Sequence, residues 1–192
     1  MSIQRVVAAA LELQDELTRT GLPFCFIGGL AVQRWGEPRL TVDADATVLS
    51  GFTYDQRIID ALLNRFRARG TDAREFALDH RVLLLQASDG TRLDVSLGAL
   101  PFEDRLIGRS SLWKYRDALR LRTCSADDLI VLKAFAGRDR DWLDVDGILV
   151  RQGQALDSGL ILRELRPLVE LKEDEAAIPR LERMMRERGI TK

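Results

Sequence analysis

Apolar residues near the start of the chain recur at helical spacing and then at alternating spacing, and the switch divides the sequence into elements. Val6, Ala10, Leu13 and Leu17 step by four, three and four, one face of a helix ending near Gly21. Residues 23–27 then read as a short buried strand, Gly28-Gly29 as a turn, and residues 30–35 as a helix stopped by Gly36 and Pro38. Over residues 42–49, Ala44, Ala46 and Val48 alternate with polar positions, the period of a half-buried strand. A helix is expected over residues 54–69, with Ile58, Leu62, Leu63 and Phe66 on one side and Gly70 closing it.

Residues 81–87 and 91–97 are two strand-like runs joined through Ser88-Asp89-Gly90, and Asp-Gly between apolar runs is a strong hairpin signal. From Ser125 the pattern turns helical, with Ser125 and Asp128 spaced as a capping box. Helices are expected at 125–137, 140–151, 157–171 and 174–188. In the last two, Leu160, Ile161, Leu165 and Leu168, then Leu181 and Met184, read as packing faces. The fold class is therefore α/β (α+β). A small mixed β-sheet core flanked by helices occupies residues 1–100, and a Pro101-containing linker with a C-terminal α-helical bundle occupies residues 101–192.

Composition narrows the function little. A chain of 192 residues with 46% hydrophobic and 31% charged residues is an ordinary globular protein, long enough for a proper core. Its 29 basic and 30 acidic residues leave a net charge of -1, which disfavours a strongly basic coater of duplexes and leaves a local basic groove open. Cys25, inside the apolar run Phe24-Cys25-Phe26-Ile27, and Cys124 are too few for a disulfide framework and fit a reducing cytoplasm. The run from Val6 to Leu11 is interrupted by Glu12, Asp15 and Glu16 before it reaches signal-peptide or membrane-spanning length, so no membrane segment is expected.

The chemistry concentrates on aspartates. Asp43 and Asp45 are i and i+2 on the expected strand, so both carboxylates face one way while Ala44, Ala46 and Val48 pack behind them. Paired like charges cost stability unless a cation sits between them, and such pairs are the usual ligands of Mg²⁺ held with substrate phosphates. Asp94 lies on the second hairpin strand, opposite the face of Leu93, Val95 and Leu97, and is a third candidate. A calcium loop starting at Asp43 fails, because Val48 stands where glycine is needed and Tyr54 where a bidentate glutamate is needed. The GxxxxGK and GxGxxG phosphate and dinucleotide motifs are absent. Lys133, one of four lysines, sits on a mostly apolar helix and either snorkels to the surface or reaches a phosphate. Asp141 and Asp144 share a helix face, where Asp141 reads as surface and Asp144 as a partner for a basic residue. Arg39 reads as a phosphate contact or a solvated arginine, and His80 as solvated.

Gly28-Gly29, Gly36, Arg39, Thr41, Asp43, Asp45 and Leu93-Asp94-Val95 together resemble the nucleotidyltransferase-fold superfamily, with its glycine turn, Asp-x-Asp pair and distant third acid. The stretch from Asp127 to Val145 is similar to the second half of the AbiEii and MenT branch, nucleotidyltransferase-like toxins of type IV toxin-antitoxin systems. The resemblance covers roughly residues 23–148. It implies an enzyme moving a nucleoside monophosphate from a nucleoside triphosphate (NTP) to an RNA acceptor, controlled by an antitoxin partner. It also implies a two-ion Mg²⁺ site on Asp43, Asp45 and Asp94, with Lys133 and Asp144 catalytic and Gly28, Gly29, Arg39 and Arg138 on the triphosphate. Many members carry Gly-Ser where this chain has Gly28-Gly29, so the backbone amides would hold phosphate without that hydroxyl. The alternatives are a non-catalytic nucleotide- or protein-binding module and a small-molecule (antibiotic) nucleotidyltransferase.

Overall fold

The computed structural model describes residues 2–116, 119–174 and 176–190. The chain divides into two compact units, Met1–Leu30 with Leu40–Cys124 and Ala31–Arg39 with Ser125–Lys192. The elements in chain order are α1 (Ile3–Arg19), β1 (Phe24–Phe26), α2 (Gly28–Trp35), β2 (Asp43–Leu49), α3 (Asp55–Arg65), β3 (Arg67–Ala68), α4 (Ala73–His80), β4 (Val82–Gln86) and β5 (Arg92–Gly98). There follow α5 (Pro101–Gly108), β6 (Ser111–Arg116), β7 (Leu119–Thr123), α6 (Ala126–Ala136), α7 (Asp139–Gln152), a 3₁₀ turn (Gly153–Ala155), α8 (Ser158–Lys172) and α9 (Ala177–Glu187).

In the first unit the described strands form one mixed seven-stranded sheet, ordered β3-β4-β5-β2-β1-β7-β6. Strand β2 runs parallel to β5 and antiparallel to β1, and β4 and β5 form the expected antiparallel hairpin. Alternation decides the two faces. Ala44, Ala46, Val48, Leu93 and Val95 are buried with Val6, Ala10, Leu13 and Leu17 of α1 in one core. The other face of β2 and β5 carries the half-buried Asp43, Asp45, Asp94 and Ser96. Cys25 and Cys124 are buried free thiols.

Three segments differ from the sequence reading. The helix expected over 54–69 ends at Arg65, because Phe66 turns extended (φ -120°, ψ 147°) to bury its ring, and Arg67–Ala68 adds a short strand beside β4. Residues 73–80 form a helix that periodicity does not reveal, with only Ala77 buried. The Pro101-containing segment, expected as a linker, opens α5 in the structure, and α5 and the β6–β7 hairpin that follows belong to the sheet unit. The hairpin's alternation of Trp113, Tyr115 and Leu121 with long cations is a strand signal, but one masked by the charge of its polar positions.

In the second unit α6 packs on α7 and α8, and α8 on α9. Ser125 caps α6, its hydroxyl accepting from the Asp128 N–H at 3.0 Å, and Gly137 closes it in the left-handed conformation (φ 71°). The four C-terminal helices lie where the pattern puts them, with residue 175 of the last span outside the described residues. Met185, not Met184, is the buried methionine of α9. Among the described residues no helix is long and apolar enough to cross a membrane.

Candidate active site

The parallel pairing of β2 with β5 sets Asp45 directly beside Asp94 and Asp43 beside Arg92. Paired residues on neighbouring strands share a face and lie about 4.8 Å apart, so Asp43, Asp45 and Asp94 form a group on one side of two strands. Each has a different environment.

Asp94 is ion-paired to Arg69. The Arg69 backbone N–H donates to Leu84 O at 3.0 Å, and Leu84 stands opposite Asp94, which places the guanidinium across β4 onto the carboxylate. Burial pushes the Asp94 carboxyl above its ordinary value; the Arg69 charge opposes this, the Asp43 charge adds to it and Arg92 opposes it. Asp43 lies 3.8 Å from Arg92, and the Thr41 hydroxyl donates to its Oδ1 at 3.3 Å. Sequence reasoning misses Arg69 and Arg92 as neighbours of the carboxylates. Arg92 is legible, two residues before Asp94 and so on its face, whereas helical periodicity puts Arg69 at the end of a helix.

Gly28 and Gly29 begin α2 rather than forming a separate turn, and they fit against this group. Gly28 has φ +55°, and a Cβ built there would lie 2.7 Å from Asp45 Cγ and overlap the carboxylate. A Cβ on Gly29 would lie 2.7 Å from Thr41 Cβ and overlap the hydroxyl, so the volume that a residue-29 side chain would take is filled by Thr41. Both missing side chains are thus explained by contacts within the chain.

Gly28→Ala is therefore expected to lose about 1–2 kcal/mol from the left-handed backbone alone, plus the cost of displacing Asp45. Gly51→Ala is the control, since Gly51 has φ +58° and nothing within 4 Å of the added carbon. Urea denaturation checks this: the Gly28 variant should unfold at distinctly lower urea than the Gly51 variant, and equal midpoints would refute the contact.

The remaining candidates gather in the second unit. Lys133 is buried, its ammonium 2.7 Å from Asp141 Oδ1 and 2.9 Å from Asp144 Oδ2. Arg39 donates to both Asp144 oxygens, at 2.6 and 2.8 Å, and Arg138 Nε donates to Asp141 Oδ2 at 2.6 Å. Asp141, expected at the surface, is 2% exposed. Burial pushes both carboxyls up, but hydrogen bonds and charges from Arg138 and Lys133 at Asp141, and from Arg39 and Lys133 at Asp144, leave both below the ordinary value. Lys133 thus neither snorkels nor stands open; it ties α6 to two carboxylates of α7. His80 is exposed and stacks on Phe76 with ring centroids 4.2 Å apart.

The donor set of Asp43, Asp45 and Asp94 is all carboxylate oxygen, the chemistry a hard cation requires. Among the described residues, however, no three His, Cys, Asp or Glu side chains converge closely enough to enclose a metal ion as they stand. Arg69 and Arg92 supply the positive charge beside Asp94 and Asp43.

No protein-family model matches the chain, and no curated protein matches it either. Solved structures do match. An antigenic nucleotidyltransferase-like protein from Paracoccidioides brasiliensis is similar over 90% of each chain, with 14% identity and a TM-score of 0.52. The antibiotic-resistance factor ANT(2'')-Ia is similar over 95% of this chain and 99% of its own, with 14% identity and a TM-score of 0.53. The mixed sheet with flanking helices is the nucleotidyltransferase fold.

Proposed function

We propose that this chain is a cytoplasmic, Mg²⁺-dependent nucleotidyltransferase that moves a nucleoside monophosphate from an NTP to an acceptor hydroxyl. The observation that carries the reading is the register of β2 and β5, which sets Asp43, Asp45 and Asp94 on one face with Gly28 against Asp45. Nothing in packing asks for three carboxylates side by side. In the transfer the acceptor oxygen bonds to the α-phosphorus, the bond from that phosphorus to the bridging oxygen breaks, and pyrophosphate leaves. Asp94, whose carboxyl is raised, takes the acceptor's proton. Mg²⁺, held as two ions by Asp43, Asp45 and Asp94, would neutralise charge gathering on the triphosphate. The small Gly28 and Gly29 and the start of α2 favour close approach of phosphate to backbone N–H groups.

The similarity of the stretch from Asp127 to Val145 to the AbiEii and MenT branch supports RNA as the acceptor, growth arrest as the outcome and an antitoxin as the controlling partner. A second reading, an antibiotic as acceptor, is favoured by the likeness to ANT(2'')-Ia. Arg69 and Arg92 beside the carboxylates count against an acceptor bearing several positive charges. The test is transfer of α-³²P label from each NTP to total RNA in the presence of Mg²⁺. Label on RNA that EDTA abolishes is expected. NTP binding with label on no acceptor would replace the enzyme by a binding module on the same fold.

A further inference from the structure

On the sheet that bears the carboxylates, β6 and β7 form an edge hairpin whose polar positions are cationic. Its register pairs Lys114 with Arg120 and Leu112 with Arg122, while Trp113 and Tyr115 pack against the core with buried Leu121. Thr123 stands opposite Phe26 of β1, which stands opposite Ala46 of β2. Alternation from these pairs puts Arg120 and Arg122 on the face of Asp43 and Asp45, and Lys114 joins them through its partner, while Arg116, beyond a bulge, pairs with Leu119. Strands β7 and β6 lie two and three places from β2, or roughly 10 and 15 Å across the sheet.

Acids do not balance this ribbon. Residues 111–123 hold Lys114, Arg116, Arg120 and Arg122 against one acid, Asp117, which lies outside the described residues. Arg116 rests over the Tyr115 ring at 5.5 Å and Arg122 donates to Ser110 Oγ at 3.4 Å. Lys114, Arg116 and Arg120 carry their charge at the surface of the hairpin. The whole chain has a net charge of -1, so the excess is local. Cations on an outermost strand guard a sheet edge against pairing with another chain, which accounts for Lys114 and Arg116. It does not account for Arg120 and Arg122 on β7, which pairs with β6 on one side, while on the other the Gln14 side chain donates to Arg120 O at 2.9 Å and accepts from the Arg122 N–H at 2.9 Å.

We propose that this ribbon docks the phosphodiester backbone of a polynucleotide acceptor whose terminal hydroxyl is presented to the carboxylate face. A polynucleotide meets both demands of the surface, with a repeated negative charge for the cations and a terminal sugar hydroxyl as nucleophile. The inference rests on the transferase reading for the acceptor's role, while its test reads binding and needs no transfer.

The experiment is fluorescence anisotropy of a labelled single-stranded RNA titrated with the full-length protein between about 50 and 200 mM salt, the range over which phosphate binding weakens steeply. The triple variant Lys114→Ala, Arg120→Ala, Arg122→Ala should bind at least about tenfold more weakly. Its plot of log affinity against log salt should be flatter by about 2, the value for three cations that no longer meet the phosphates of a single strand. Arg120→Lys with Arg122→Lys, which keeps the charge, should bind as the unsubstituted protein does, and circular dichroism confirms that each variant is folded. Unchanged affinity and salt slope in a folded triple variant would overturn the proposal, as would equal affinity for poly-glutamate, which would point to a protein partner. RNA binding without any transfer would sink the enzyme reading and leave the ribbon; RNA transfer with an unchanged KM in the triple variant would do the reverse.

Discussion

Lys133→Ala is expected to destabilise the protein by about 3 kcal/mol, the lower end of what removing one partner from a buried ion pair costs. The value sits at the lower end because two cations remain. Asp141 keeps Arg138 and Asp144 keeps Arg39, so the loss leaves two carboxylates facing two guanidiniums rather than an uncompensated charge. The effect should also depend on pH. Both carboxyls are held below 3.8 in the folded protein, so their contribution is complete above that value and is lost as pH falls through their folded values. Without Lys133 burial weighs more heavily on both groups. Acid unfolding of the variant should therefore begin at higher pH, and its stability deficit should narrow once the carboxyls are protonated in both proteins. Urea denaturation from neutral pH down through the carboxylate range checks this; a deficit independent of pH would mean that Lys133 acts only by filling space.

Asp45→Ala should lower nucleotidyl transfer by about a thousandfold, the upper range for losing one preorganised electrostatic contact to a reacting phosphate. Asp45 is the most damaging of the three to lose because it is central: Asp94 lies beside it across the strands and Asp43 two residues before it. Asp43→Ala and Asp94→Ala should each fall less far, and the double variant of Asp43 and Asp45 should lose little beyond the Asp45 variant, because groups acting as one unit are not additive. Steady-state transfer of α-labelled NTP checks the series. Full activity in folded Asp45→Ala would make the pair an ordinary solvated strand end.

The aspartate geometry is legible because a strand's period of two is rigid: once Ala44, Ala46 and Val48 are placed in the core, Asp43 and Asp45 have one direction left. Asp94 follows from the Asp89-Gly90 hairpin in the same way. What cannot be read is what lies across strands. Arg69 reaches Asp94 only because Phe66 ends a helix that the 3.6-residue pattern continues, and nothing local announces that break. Thr41 against Gly29 is likewise a contact between segments that spacing does not encode. Lys133 stands out by its rarity and its apolar helix, but rarity carries no information about partners, and for lack of them Asp141 reads as a surface residue.

Whether Asp43, Asp45 and Asp94 form a divalent-cation site for a nucleoside triphosphate is decided by Mn²⁺ binding read by electron paramagnetic resonance. Mn²⁺ is added to the unsubstituted and Asp45→Asn proteins with a non-hydrolysable NTP analogue. The unsubstituted protein should deplete free Mn²⁺ when the analogue is present, and Asp45→Asn, still folded, should do so at least about tenfold more weakly, the scale of effect seen for perturbed metal sites. Equal Mn²⁺ uptake by the two proteins would contradict a cation site on these carboxylates.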